Sequence, residues 1–108
     1  MNQYMFLFKG GNDPEKSGAN NKEWGDWMSG IMSKNKYISG LPMEKTGQVV
    51  KKDGSIENFK ADGDAISGFV IVKADTAEEA AEMAKECPIF LEDGFVIVRP
   101  LQPMPEHN

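Results

Sequence analysis

An α+β fold, with two helices on one face of a four-stranded antiparallel sheet, is predicted for this 108-residue chain by three features. Two strands share the sequence Gly-Phe-Val-Ile-Val, at Gly68–Val72 and Gly94–Val98, and they flank one strongly marked helix. Neither strand alternates with polar residues. Successive side chains of a strand point to opposite sides of its sheet, so both faces need cover. Only two helical segments, that one included, are legible in the whole chain, which is enough for one face. A second copy of the chain is the expected cover for the other, so a homodimer formed through the sheet face is predicted.

The elements follow in order. Tyr4-Met5-Phe6-Leu7-Phe8 is a compact apolar run closed by Gly10-Gly11, and it reads as a first strand buried on both faces. Asp13-Pro14-Glu15 resembles a helix start with an Asp cap and Pro at the first position. Gly18, Asn20 and Asn21 are poor helix formers, so the secure helix runs from Asn21 to Lys34. Trp24, Trp27, Met28, Ile31 and Met32 form one stripe along it, opposed by Lys22, Asp26, Ser29 and Ser33. Lys36 to Met43 follows as a strand, and Pro42 places it at an edge or ends it.

Asp53-Gly54 between Gln48-Val49-Val50 and Ile56 predicts an exposed hairpin arm with a two-residue turn. Glu57 to Asp64, polar apart from Phe59, reads as a loop returning to the next strand near Ala65. Thr76-Ala77-Glu78-Glu79 is a capping box that starts a second helix, Ala77 to about Glu86. Its core stripe is expected to be Ala77, Ala80, Ala81 and Ala84, and Pro88 stops it. The last strand begins after Gly94 and ends at Pro100. The order β-α-β-(hairpin)-β-α-β matches the ferredoxin-like split βαβ arrangement.

Length and composition bound the function. At 11.9 kDa the chain is expected to be a single domain over residues 1–108, with a core of about 3–101 and a tail at 102–108. A net charge of −5 and a pI near 4.8 argue against nucleic acid and anionic membrane surfaces as partners. Lys51-Lys52 is the only basic doublet. One cysteine and one histidine make neither an internal disulfide nor a Cys/His metal cluster, so no metal or other cofactor is expected. The first residues have no basic region and too short an apolar run for a signal peptide or membrane span, which predicts a cytoplasmic protein. Gly10, Gly11 and Gly18 form neither a dinucleotide fingerprint nor a P-loop.

Several stretches together resemble the YCII-related family, in particular its longer branch, the DGPF proteins of the dimeric α+β barrel group. They are Tyr4–Phe8 with Gly10-Gly11, Trp24-Gly25-Asp26-Trp27-Met28, Ser39-Gly40-Leu41-Pro42, Gly68–Val72, Ala80–Ala84 with Cys87-Pro88, and Val96–Pro100. The resemblance spans residues 3 to 101. It implies a face-to-face dimer with a cleft between the sheet, the first helix and nearby loops. Shorter family members carry a His early in the first helix and an Asp before the late proline, a pair proposed as a catalytic dyad. Here Asn20-Asn21-Lys22-Glu23 occupies the first region and Cys87 the second position, so that dyad does not carry over. The branch's Asp-Gly-Pro-Phe signature reads Ile56-Glu57-Asn58-Phe59 in this chain.

The residues offered for a ligand site are Tyr4, Glu23, Trp24, Asp26, Trp27 and Tyr37, with no catalytic residue assigned. Trp24 and Trp27 read first as core and second as an aromatic pocket wall. Glu23 and Asp26 fit a solvated helix face or an acid/base role at a cleft mouth, and the two tyrosines complete the polar candidates. Cys87 follows a helix C-terminus, where the dipole opposes a thiolate, and is expected to be an inert packing residue. His107 lies in a proline-rich tail. Arg99, the only arginine, stands at the end of a central strand and is read first as pairing an acidic neighbour and second as pairing an anionic ligand. Two functions remain open: a dimer whose cleft binds or converts a small aromatic or lactone-like metabolite, and a non-catalytic interaction module.

Overall fold

Alternation of buried and half-buried side chains organises the fold seen in the computed structural model, which describes residues 2–10, 21–63 and 65–103. Strand β1 (Asn2–Lys9) buries Tyr4, Phe6 and Phe8 on one face and leaves Met5 and Leu7 half-covered on the other. Helix α1 (Asn21–Ser33) is followed by β2 (Tyr37–Pro42), β3 (Thr46–Val50), β4 (Ile56–Lys60) and β5 (Ile66–Ala74). Helix α2 (Ala77–Ala84), a 3-10 helix (Pro88–Glu92) and β6 (Phe95–Pro100) complete the chain. The main sheet has the order β2-β5-β1-β6 and every pairing is antiparallel, which is the ferredoxin-like topology. The expected helix start at Asp13 to Glu15, and His107 in the tail, lie outside the described residues.

Both helices pack on the face carrying Tyr4, Phe6 and Phe8. Trp27 and Ile31 from α1 and Ala80 and Ala84 from α2 join them, with Val70, Val72, Cys87 and Ile89, in one core. The two helices are tied directly, because the Trp27 indole N–H donates to the Met83 carbonyl at 3.0 Å. Asn35, at φ 57, ends α1 in the left-handed region, where the Lys36 N–H reaches back to the Ile31 carbonyl at 3.2 Å. At the start of α2 the Thr76 hydroxyl accepts the Glu79 N–H at 3.1 Å, while the Glu79 carboxylate accepts the N–H of Asp75, one residue earlier than the standard box.

Several expectations need correction. Met32 lies at the end of the α1 stripe and is half exposed, beyond the reach of the sheet. In α2 only Ala80 and Ala84 are buried, with Met83 beside them, whereas Ala77 and Ala81 face solvent. The i, i+3, i+4 set is therefore rotated by one position. Residues 56–60 are not a loop: β4 pairs with β3 in full register from Val50↔Ile56 to Thr46↔Lys60. Backbone pairing overrides the polar composition there, because both faces of the arm are wet and need no apolar side chains. The arm's turn is not of the two-residue kind. Gly54 N–H bonds to the Lys51 carbonyl at 2.9 Å with φ 88 at Gly54, a turn closed by a left-handed glycine. Finally, β6 is an edge strand, and its Arg99 is exposed with no carboxylate partner among the described residues.

The face away from the helices is apolar and open. Register aligns Leu41, Phe69, Leu7 and Ile97 across it, with Ile71 and Met5 in the adjacent row. Leu41 is 66% exposed and Phe95 51%, so no described residue covers this part of the face. The smallest dimension, 18 Å, is that of one helix layer on one sheet.

One ion pair joins the layers at the start of β2. Lys36 Nζ donates to Glu79 Oε1 at 2.5 Å, which holds the Glu79 carboxyl below its ordinary range, helped by the Asp75 N–H. A carboxyl lowered in this way stabilises the fold above its unfolded pKa, and the contribution is lost as the pH falls through the folded value. Glu79→Gln is expected to lower the melting temperature at neutral pH, and the gap to the unmodified protein should close below about pH 4. Parallel melts by circular dichroism at the two pH values check this; a gap that persists in acid would contradict it.

Candidate functional site

A cleft of about 370 Å³ opens where α1 and the 3-10 helix overhang the β2–β5 corner of the sheet. Its existence follows from two glycines. Gly68 pairs with buried Phe8, and Gly40 pairs with buried Val70, so both stand at helix-facing positions where a side chain would fill the space. A Cβ on Gly40 would lie 2.6 Å from the Phe69 carbonyl oxygen, which the backbone cannot accept without a shift, and one on Gly68 would lie 3.1 Å from the Leu41 carbonyl oxygen, a tight fit. Close approach of the two strands thus favours glycine at both positions and leaves the sheet corner bare.

The walls are aromatic and aliphatic. Phe8 and Trp24 stand edge to face, with ring centroids 5.2 Å apart and planes at 82°, and Met28 and Ile89 continue the lining. Trp24 is only half-buried because it borders the cleft, while Trp27, three residues on, is buried against Phe6 at 6.1 Å and Phe8 at 6.0 Å. Helical spacing put both tryptophans in one stripe. Their angular offset separates them into a wall residue and a core residue.

The one ionisable side chain among the described lining residues is Glu92, whose Oε2 accepts the Trp24 indole N–H at 2.9 Å. Glu92 closes the 3-10 helix. Asp93 follows at φ 60, and Gly94 is packed so tightly that a Cβ would collide with the Lys9 carbonyl oxygen and with Ile89. Backbone contact with the end of β1 therefore positions Glu92 over the cleft. Sequence reasoning missed it, since the segment between α2 and the last strand shows no periodicity. The available signal was an acidic residue just before Asp93-Gly94, a chain reversal that fixes where its side chain is presented.

The other proposed site residues are dispersed. Tyr4 is 5% exposed within the core and is not among the residues lining the cleft. Tyr37 is half-buried, and its hydroxyl donates a long 3.4 Å bond to the Gly40 carbonyl behind the cleft. Glu23, Asp26 and Trp27 border a second depression of about 510 Å³ between α1 and the Cys87–Leu91 segment. That depression is broader and more open, and Asp26 is engaged by exposed Lys22 at 2.9 Å. Enclosure, not volume, makes the smaller cleft the better ligand site. Cys87 borders the depression, but burial pushes its thiol up to about 12, which suits packing and not nucleophilic attack. Among the described residues no three His, Cys, Asp or Glu side chains converge as metal ligands.

No protein-family model matches the chain, and no curated protein matches it either. Among solved structures it is similar to the 5-chloro-2-hydroxyhydroquinone dehydrochlorinase TftG of Burkholderia phenoliruptrix AC1100, in complex with 2,5-dihydroxybenzoquinone. The superposition has a TM-score of 0.57, with 16% identity over 93% of each chain. The likeness is one of fold. Among the described residues no helix is long and apolar enough to cross a membrane.

Proposed function

We propose that this chain is a YCII-like cytoplasmic homodimer that binds a small aromatic or lactone-like metabolite in the cleft between sheet and first helix. The observation that carries the reading is the cleft itself: glycine floor, Phe8 and Trp24 as walls, and one carboxylate. Its volume lies at the small end of the range for small-molecule sites. A flat ring there packs against the perpendicular Phe8 and Trp24 rings and the apolar side chains beside them. The end-to-end fold likeness to a dehydrochlorinase that holds a dihydroxybenzoquinone supports a ring-sized ligand, although identity is too low to transfer its chemistry.

Dimerisation through the open sheet face is part of the same proposal. Leu7, Phe69, Ile71, Ile97 and Leu41 form a contiguous apolar area there, the kind of exposed patch that marks an interaction surface. Isothermal titration with 2,5-dihydroxybenzoquinone, catechol and coumarin tests the binding reading. At least one ring is expected to bind saturably, and Met28→Trp, which fills the cleft from a half-buried helix position, is expected to weaken it at least about tenfold, the effect of losing roughly 1.4 kcal/mol of contact. Absence of heat with all three rings would refute the reading.

A further inference from the structure

We infer that Glu92 is the specificity-determining acceptor of the cleft, and that the ligand it selects is an uncharged or cationic ring bearing an O–H or N–H donor. The inference rests on the cleft being a ligand site, and it goes beyond that reading by naming what the ligand must present.

Four observations converge. First, Glu92 is the sole ionisable residue among the described lining residues, which include no Lys or Arg. A carboxylate- or phosphate-bearing ligand would therefore bring a second negative charge beside the first, with no cation among those residues to offset it. Second, only Oε2 of Glu92 is engaged, by the Trp24 indole N–H, and no cation bridges the carboxylate among the described residues. An ionised carboxylate accepts about four hydrogen bonds, so most of its capacity is unused by protein donors. Third, the side chain is half-buried beside the apolar lining, so a ligand hydroxyl in the cleft meets the carboxylate in a partly dry setting, where a charge-assisted hydrogen bond is stronger than in water. Fourth, the carboxylate is held from both ends. The backbone is locked where Gly94 meets the carbonyl of Lys9, and the head group is fixed by Trp24, which is itself braced edge-on against Phe8 and Trp27 at 5.2 and 5.8 Å.

A purely structural reading would make Glu92 a brace for Trp24. Glu92→Gln separates the two roles, because the amide oxygen still accepts the indole N–H while the charge and the second carboxylate acceptor are gone. The probes are catechol, its dimethyl ether 1,2-dimethoxybenzene, and benzoate, titrated by calorimetry. The unmodified protein is expected to bind catechol at least about tenfold more tightly than the dimethyl ether, as hydrogen bonds to a charged acceptor allow, and to reject benzoate. In Glu92→Gln the catechol preference should shrink to less than about threefold, with benzoate binding gained. The melting temperature of the variant, read alongside, shows that Trp24 remains braced.

Equal affinity for catechol and its ether in the unmodified protein, or an unchanged preference in Glu92→Gln, would overturn the inference while leaving the cleft a ligand site. If no ring compound binds the unmodified protein, the cleft reading falls and the inference with it.

Discussion

Trp27→Ala is expected to destabilise the chain by about 3 to 5 kcal/mol, the range for removing a large buried aromatic side chain. The ring touches the two central phenylalanines of β1 and the second tryptophan of α1, so its loss opens a cavity where the first helix meets the sheet. It also removes the only side-chain hydrogen bond seen between the two helices among the described residues, indole N–H to the Met83 carbonyl. A domain of this size has about 5 to 15 kcal/mol in total, so the variant should be close to unfolding at room temperature. Trp24→Phe should behave differently. Its position is half-buried at the cleft, and the expected cost is at most about 1 to 1.5 kcal/mol, mainly the lost bond to Glu92. Urea titrations of both variants check the contrast. Equal losses would mean that the division into core and wall is wrong.

Sedimentation of the unmodified protein at micromolar concentration is expected to give twice the 11.9 kDa protomer mass, and Leu7→Lys with Ile71→Lys is expected to give the protomer alone. Both side chains point away from the helices on the two central strands, so the substitutions leave the core untouched. Full burial of such a side chain contributes about 1.5 to 3 kcal/mol, and about half of that applies because each is already half-buried. Twofold symmetry counts each loss twice. The dissociation constant should rise at least about a hundredfold before the cost of burying four ammonium groups is added. A monomeric unmodified protein would refute the covered-face argument, and a double variant that stays dimeric would place the interface elsewhere.

Local chemistry made much of the fold legible. The box at Thr76 and Glu79, the stop at Pro88, the glycines before each Phe-Val-Ile-Val strand and the tryptophan stripe all act within a few residues, so their effects can be read along the chain. The strand at Ile56–Lys60 was not legible, because a ribbon wet on both faces is held by backbone pairing that leaves no apolar pattern. The candidate site was read less well. Trp24 borders the cleft, but Tyr4 faces the core, while Glu23 and Asp26 border a different surface, since a position on a helix or strand fixes a face and not what lies opposite it. Glu92 meets Trp24 across 68 residues of sequence, and no spacing rule spans such a distance.

The amino-acid sequence by itself determined the split βαβ order, the antiparallel sheet with both helices on one side, and an apolar second face in need of cover. Each is set by periodicity, capping and turn residues, which act through the nearest neighbours in the chain. Only the tertiary structure decided that the cleft lies over Gly40 and Gly68, that Trp24 borders it while Trp27 does not, and that its carboxylate is Glu92. Those outcomes depend on how closely β2 approaches β5 and where the 3-10 helix comes to rest against β1. Such distances arise from packing between segments far apart in sequence, and no local pattern encodes them.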